Sequence, residues 1–258
     1  MKFWKILAMC LIFAALISVS VFAAKISNAD ISEKENPFAE IKEKNQEQMS
    51  TVFEKIIIVH YANGKGKIEG GRTKETTCYG FLGKDLKWKG TINYYINPTN
   101  AQGLSEDFVL NAIDLAAQEW DNHTSAALFG NYQIDESANF DDAKPDGRNE
   151  MSFGNYKQSG VIAVTVIWGI FSGKNRQITE FDILFDTDFN WGDATADKTK
   201  MDLQNIATHE IGHGLGLKDL YNSTCTEETM YGYSTEGETK KRDLGQGDIK
   251  GLQLLYGS

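Results

Sequence analysis

The run His209-Glu210-Ile211-Gly212-His213-Gly214-Leu215-Gly216-Leu217-Lys218-Asp219 constrains this chain more than any other feature. Histidines four residues apart fall about 40° apart around a helix axis, so a helix through this run carries two imidazoles on one side. Leu203, Ile206, Ala207 and Ile211 line one face of the same stretch, and residues 201–217 are therefore read as a helix packed on a core. Gly216 can adopt the left-handed conformation that ends a helix and folds the chain back, which brings in Asp219 three residues later. The pattern H-E-x-x-H-x-x-G-x-x-D arises by chance in a chain of this length with a probability on the order of 10⁻⁵ to 10⁻⁴.

Two histidines supply half of a tetrahedral metal site, and a catalytic zinc keeps three protein ligands and an open fourth position. His209, His213 and Asp219 are the expected ligands of one catalytic Zn2+. Glu210 is the expected catalytic base, because it adjoins the first ligand and a carboxylate there can take a proton from water and pass it on. The chain has 4 histidines. His60, in an apolar run, and His123, in an expected turn, are read as non-ligands.

The rest of the chain is read around this centre. Lys2 and Lys5 precede an uncharged, mostly apolar stretch closed by Ala23 and Ala24, so residues 1–24 are expected to be a secretory signal peptide, with an uncleaved membrane anchor as the other reading. Residues 25–77 are dense in charge and Gly, apart from the run Ile56-Ile57-Ile58-Val59-His60-Tyr61, a predicted strand; they are expected to form a pro-region or stalk. Residues 78–258 are the expected catalytic domain. An exported chain with Cys78 and Cys225 remaining after the leader is expected to join them in a disulfide. With 26 basic against 36 acidic side chains and a formal charge of -10, a nucleic-acid partner is not expected.

Within 78–258, residues 88–96 are predicted as a strand. Ser105 is predicted to cap a helix whose Phe108, Val109, Ala112, Ile113, Ala116 and Trp120 face a sheet. Residues 160–168 and the alternation Phe181, Ile183, Phe185 predict two more strands. This order implies an α+β domain with a mixed twisted sheet, a backing helix, an active-site helix and a C-terminal helix.

The zinc run, the sequence Thr229-Met230-Tyr231 and the end from Leu244 through Asp248-Ile249-Lys250-Gly251-Leu252 to Tyr256-Gly257 together resemble the metzincin metallopeptidases, and among them the matrixins. The likeness covers roughly residues 78–257. It implies a metzincin-like catalytic domain with a methionine turn, and an exported endopeptidase, secreted or on the cell surface, that hydrolyses peptide bonds through a zinc-bound water activated by Glu210. Met230 would form the floor beneath the metal and Tyr231 the pocket for the side chain after the scissile bond, with Tyr233 as the alternative facing the metal. Peptide or protein substrates and a monomeric enzyme are expected, with membrane contact only if the N-terminal segment is retained. No appended domain is expected after Ser258, and exosite recognition of large matrix substrates is accordingly not expected.

The chain departs from the matrixin pattern in two respects. Asp219 stands where matrixins have a third histidine, and an anionic ligand is expected to acidify the bound water less. Cys78 lies in Thr76-Thr77-Cys78-Tyr79-Gly80, which is not the setting of the matrixin cysteine switch, so the disulfide is favoured over a zinc-bound thiolate. The acidic stretches 135–146 and 186–197 are where Ca2+ would bind. Two other readings are a catalytically inactive zinc-binding interaction module, against which Glu210 argues, and a zinc site completed by Glu227 or Glu228.

Overall fold

The computed structural model describes residues 53–62 and 77–258; the expected leader and most of the expected pro-region lie outside the described residues. A seven-stranded sheet runs in the order β3-β2-β4-β6-β5-β1-β9. Its strands are β1 (Glu54–Ala62), β2 (Ile92–Ile96), β3 (Phe129–Ile134), β4 (Glu150–Gly154), β5 (Val161–Ile170), β6 (Gln177–Asp186) and β9 (Tyr233–Ser234). Short β7 (Trp191–Gly192) and β8 (Met201–Asp202) pair apart from it. β2, β3, β4 and β6 are mutually parallel, and β5 runs against both of its neighbours, β6 and β1. The sheet is thus mixed, as expected.

β5 and β6 are ten-residue strands whose side chains are buried along almost their whole length; β5 reads as a continuous apolar and β-branched run, and β6 as the alternation of Phe181, Ile183 and Phe185 with Asp182 and Asp186. The strand expected over 88–96 begins only at Ile92. Trp88 is committed elsewhere: its backbone N–H donates to Tyr256 Oη at 3.1 Å and its indole N–H to the Gly214 carbonyl at 2.9 Å. The predicted strand at 56–61 forms β1, and although it precedes Cys78 it is built into the same sheet.

Helix α1 (Glu106–Asp121) is capped by Ser105, whose Oγ accepts the Phe108 N–H at 3.3 Å. Its apolar stripe buries Val109, Ile113, Ala116 and Trp120. The Trp120 indole donates to the Thr208 carbonyl at 2.8 Å, fixing α1 against α2 (Leu203–Gly214). Full burial of a side chain of this kind contributes roughly 3 kcal/mol. α3 (Gln246–Tyr256) closes the domain.

A disulfide joins Cys78 to Cys225 across 147 residues, with Cα atoms 5.3 Å apart. Closing so long a loop restricts the unfolded chain, so replacing both cysteines with serine is expected to lower stability by about 3–5 kcal/mol. Equilibrium urea unfolding checks this, and an unchanged midpoint would count against it.

Two carboxyls are buried where β6 meets the 141–150 loop. Burial pushes Glu180 up to about 7 and Asp182 up to about 8, although each accepts backbone N–H groups, from Asp146 and Gly147 and from Glu150. Unfolded, both titrate near pH 4. The folded state therefore binds more protons between about pH 4 and 8, and their contribution makes stability fall as pH rises through that window. Thermal melts of Asp182→Asn beside the parent chain are expected to converge near pH 4, with the variant more stable at pH 8.

Candidate metal centre

Helix α2 begins at Asp202, whose side chain accepts the Asn205 N–H at 2.9 Å and pairs with Arg242 at 2.5 Å. One turn before its end it presents His209, Glu210 and His213, all fully buried. Gly216 then turns the chain with φ 101°, and a Cβ there would lie 2.5 Å from the Leu86 carbonyl oxygen, so no larger residue fits. The turn brings Asp219 back over the helix.

The backbone sets the tautomers of both histidines. His209 Nδ1 lies 2.6 Å from the Thr229 carbonyl and His213 Nδ1 lies 2.9 Å from the Leu217 carbonyl. Carbonyls only accept, so each Nδ1 carries the proton and each Nε2 is left with a bare lone pair. Those two Nε2 atoms are 3.1 Å apart, and Asp219 Oδ1 lies 3.2 Å from one and 3.5 Å from the other. Asp219 Oδ2 accepts the Tyr221 hydroxyl at 3.0 Å, while Oδ1 is buried without a hydrogen-bond partner. Three lone-pair donors converge on one point, an arrangement that suits a cation. Zinc bonds of about 2.0–2.1 Å give tetrahedral ligand spacings of about 3.3–3.4 Å, close to these three distances, so the residues fit zinc.

Charge and burial act together here. Burial and the neighbouring His60 drive His209 down to about 3. Burial also opposes protonation of His213, but Asp219 and Glu210 outweigh it and raise His213. Both histidines in turn hold Asp219 well below the carboxylate range against its own burial. Burial raises Glu210, with His209, His213 and a bond from Thr165 pulling the other way.

The segment after α2 forms the floor and one wall. Met230 is buried against the helix: a Cβ at Gly212 would lie 2.3 Å from its sulfur. Met230 is held from below by Asp248 on α3, which accepts the N–H groups of Thr229 at 2.5 Å and Met230 at 3.1 Å. Tyr231 is half-buried, with its ring 5.6 Å from that of Tyr233. Lys241, fully buried, donates to the carbonyls of Tyr231 at 2.6 Å and Tyr233 at 2.8 Å and so fixes this wall.

Sequence reasoning brings together His209, Glu210, His213, Asp219 and Met230, and the structure has them in one place. Glu227 and Glu228 are elsewhere: exposed Glu227 pairs with Lys240, and Glu228 accepts the Gly247 N–H at 2.9 Å. Several partners were missed. Thr165 Oγ1 donates to Glu210 Oε2 at 2.6 Å, and its only sequence signal is a hydroxyl in an otherwise apolar strand. Tyr221 and Lys241 carry no signal beyond proximity. His60, read as a bystander, is at the site: its Nδ1 is 2.9 Å from Glu210 Oε1 and its ring centroid 4.2 Å from that of His209. In the acidic stretches, Asp135 is taken up by Arg148 and Asp193 by Arg242.

A matrixin family profile matches residues 87–257. The chain is similar to interstitial collagenase of Oryctolagus cuniculus, 31% identical over 174 residues, covering 66% of this chain and 33% of the relative. It is also similar to stromelysin-1 of Equus caballus, 42% identical over 77 residues (30% of this chain, 15% of the relative). Matrilysin of Homo sapiens is 37% identical over 76 residues, covering 30% of this chain and 27% of the relative. The chain thus matches a third or less of the length of each of these relatives.

Proposed function

The chain belongs to the matrixin family, and from that premise we propose that it is an exported zinc-dependent endopeptidase acting on peptide or protein substrates. The observation that carries this is the convergence of two bare imidazole nitrogens and a partnerless carboxylate oxygen beside a buried glutamate. His209, His213 and Asp219 are the metal ligands of this reading. When bound, zinc supplies polarisation of the scissile carbonyl and acidification of a water.

The chain's own residues do the rest. Glu210 takes a proton from the attacking water and delivers it to the leaving amine, and its raised proton affinity suits both halves of that transfer. Thr165 holds one Glu210 oxygen, Oε2, and so fixes the orientation of the carboxylate. Met230 provides an apolar floor that keeps the two histidines in place, and Tyr231 lines the pocket for the side chain after the scissile bond. Residues 1–24 act as the export signal and 25–77 as a pro-region, which a disulfide in the domain that follows supports. Calcium is the second ion of this reading, at the acidic loops.

The test is zinc content and casein cleavage by the full chain, before and after limited tryptic digestion. One zinc per chain with cleavage after digestion supports the reading. One zinc with no cleavage of casein or of a mixed peptide library in either state sinks it in favour of a zinc-binding interaction module.

A further inference from the structure

The short helical turn Lys240–Arg242 carries three cations in a row, and each goes to a different border of the site. Lys240 Nζ pairs with Glu227 at 3.1 Å and donates to the carbonyl of Thr226, the residue after Cys225. Arg242 pairs with Asp193 at 2.7 Å and, through Nε at 2.8 Å, with Asp202, the cap of α2. Between them Lys241 points inward, with none of its side chain exposed. Its ammonium has three protons and three oxygen acceptors: the carbonyls of Tyr231 at 2.6 Å and Tyr233 at 2.8 Å, and the hydroxyl of Ser234 at 2.6 Å. Glu238 Oε1 lies 3.6 Å away and balances the charge. Burial draws Lys241 down to about 8, which leaves it a cation at neutral pH.

The wall it holds has little else to fix it. Tyr233–Ser234 (β9) is the outermost strand of the sheet and two residues long, paired on one side with Tyr61 and Ala62 of β1. A ladder so short leaves interior carbonyls without strand partners, and buried carbonyls need donors from elsewhere. Lys241 supplies them. A methionine would fill the same volume without burying a charge, and a buried charge destabilises unless it is paired. The lysine is therefore explained by the oxygens it holds and not by the space it fills.

The other end of the connection is the ligand-bearing helix. The Lys241 backbone N–H donates to Asn205 Oδ1 at 2.7 Å, and Asn205 Nδ2 donates to Glu238 Oε1 at 3.3 Å. Asn205 stands one turn before His209 on α2. A buried chain of hydrogen bonds thus runs from the turn before His209 through Lys241 to the wall that carries Tyr231 and Tyr233.

We propose that Lys241 is a specificity-determining positioning residue: it sets how far the wall of residues 231–234 stands from the metal ligands, and so which apolar side chain is accepted after the scissile bond. The inference rests on the peptidase reading and on Tyr231 as part of that pocket. A wall held at three points rejects a side chain that is too large for it, and a wall released from them yields.

The experiment takes the zinc-loaded full chain, before and after limited tryptic digestion. It is compared with Lys241→Met, which keeps the volume and removes all three donors, and with Ser234→Ala, which removes one acceptor and no charge. One readout is kcat and KM for peptides that differ only in the residue after the scissile bond: Ala, Leu or Phe. The other is hydrogen exchange at the amides of residues 231–236, which needs no catalysis. In Lys241→Met the ratio of kcat/KM between the best and worst peptides is expected to fall at least ~10-fold, the discrimination that a fixed apolar pocket gives. The change is expected in KM, with zinc retained, and exchange across 231–236 is expected to quicken. Ser234→Ala is expected to move both readouts the same way and less. If the wall exchanges faster but the preference among peptides is unchanged, Lys241 is a structural tie only, and the inference falls while the peptidase reading stands. Unchanged exchange together with unchanged preference overturns it as well. If no form cleaves any peptide, the parent included, the peptidase reading falls and the specificity role with it. Should Lys241→Met fail to fold, Ser234→Ala carries the same two readouts.

Discussion

Glu210→Gln is expected to retain one zinc per chain and to lower kcat/KM for a peptide by about 10²–10⁴-fold, the range a positioned general base contributes. The substitution keeps the shape of a fully buried side chain and leaves an amide able to meet the Thr165 hydroxyl, so packing is preserved. It removes the carboxylate beside the three candidate ligands that can accept a proton from water without itself being needed to hold the metal. The measurement is single-turnover hydrolysis by the tryptically cut chain, with zinc counted in the same sample. A variant that cleaves at the parent rate would remove Glu210 from the mechanism. One that loses zinc as well would make it a ligand and not a base.

The second large effect is expected from Asp219→Ala. Without Oδ1 the site has two imidazole nitrogens 3.1 Å apart and no anionic ligand to balance a dication, and the Tyr221 hydroxyl loses its acceptor. Zinc affinity is expected to fall by at least ~100-fold, beyond what losing a supporting hydrogen bond costs. Stability should follow, because metal that binds only the folded chain stabilises it by about 4 kcal/mol at a thousandfold excess over Kd. For a domain of this size that is a rise in Tm of roughly 8–16 °C on adding zinc to the stripped parent. The same addition should move Asp219→Ala by a small fraction of that. Equal zinc-dependent shifts in the two proteins would show that Asp219 is not a ligand.

Much of the fold was legible because its signals are local. Ser105 followed by residues at three- and four-residue intervals specified α1, an unbroken apolar and β-branched stretch specified β5, and the alternation of Phe181, Ile183 and Phe185 specified β6. The strand expected at 88–96 was overextended because alternation says nothing of hydrogen bonds made elsewhere, here by Trp88 to Tyr256 and Gly214. Short β7, β8 and β9 carry too few residues for a period to be visible.

What the sequence determined by itself is the ligand-bearing run: helix period sets two imidazoles on one side, and Gly216, with its left-handed φ, returns Asp219 to them. Those relations span eleven residues and follow from backbone geometry alone. Only the tertiary structure decided what surrounds them. Thr229 and Leu217 carbonyls fix the tautomers, Thr165 and His60 take the two oxygens of Glu210, and Lys241 and Asp248 hold the wall and floor. His60 is 150 positions from Glu210, and the pairing of β1 with β5 is what brings them together. Such a contact depends on which strand edge is left open once the sheet is assembled, and no periodicity or spacing along the chain encodes that.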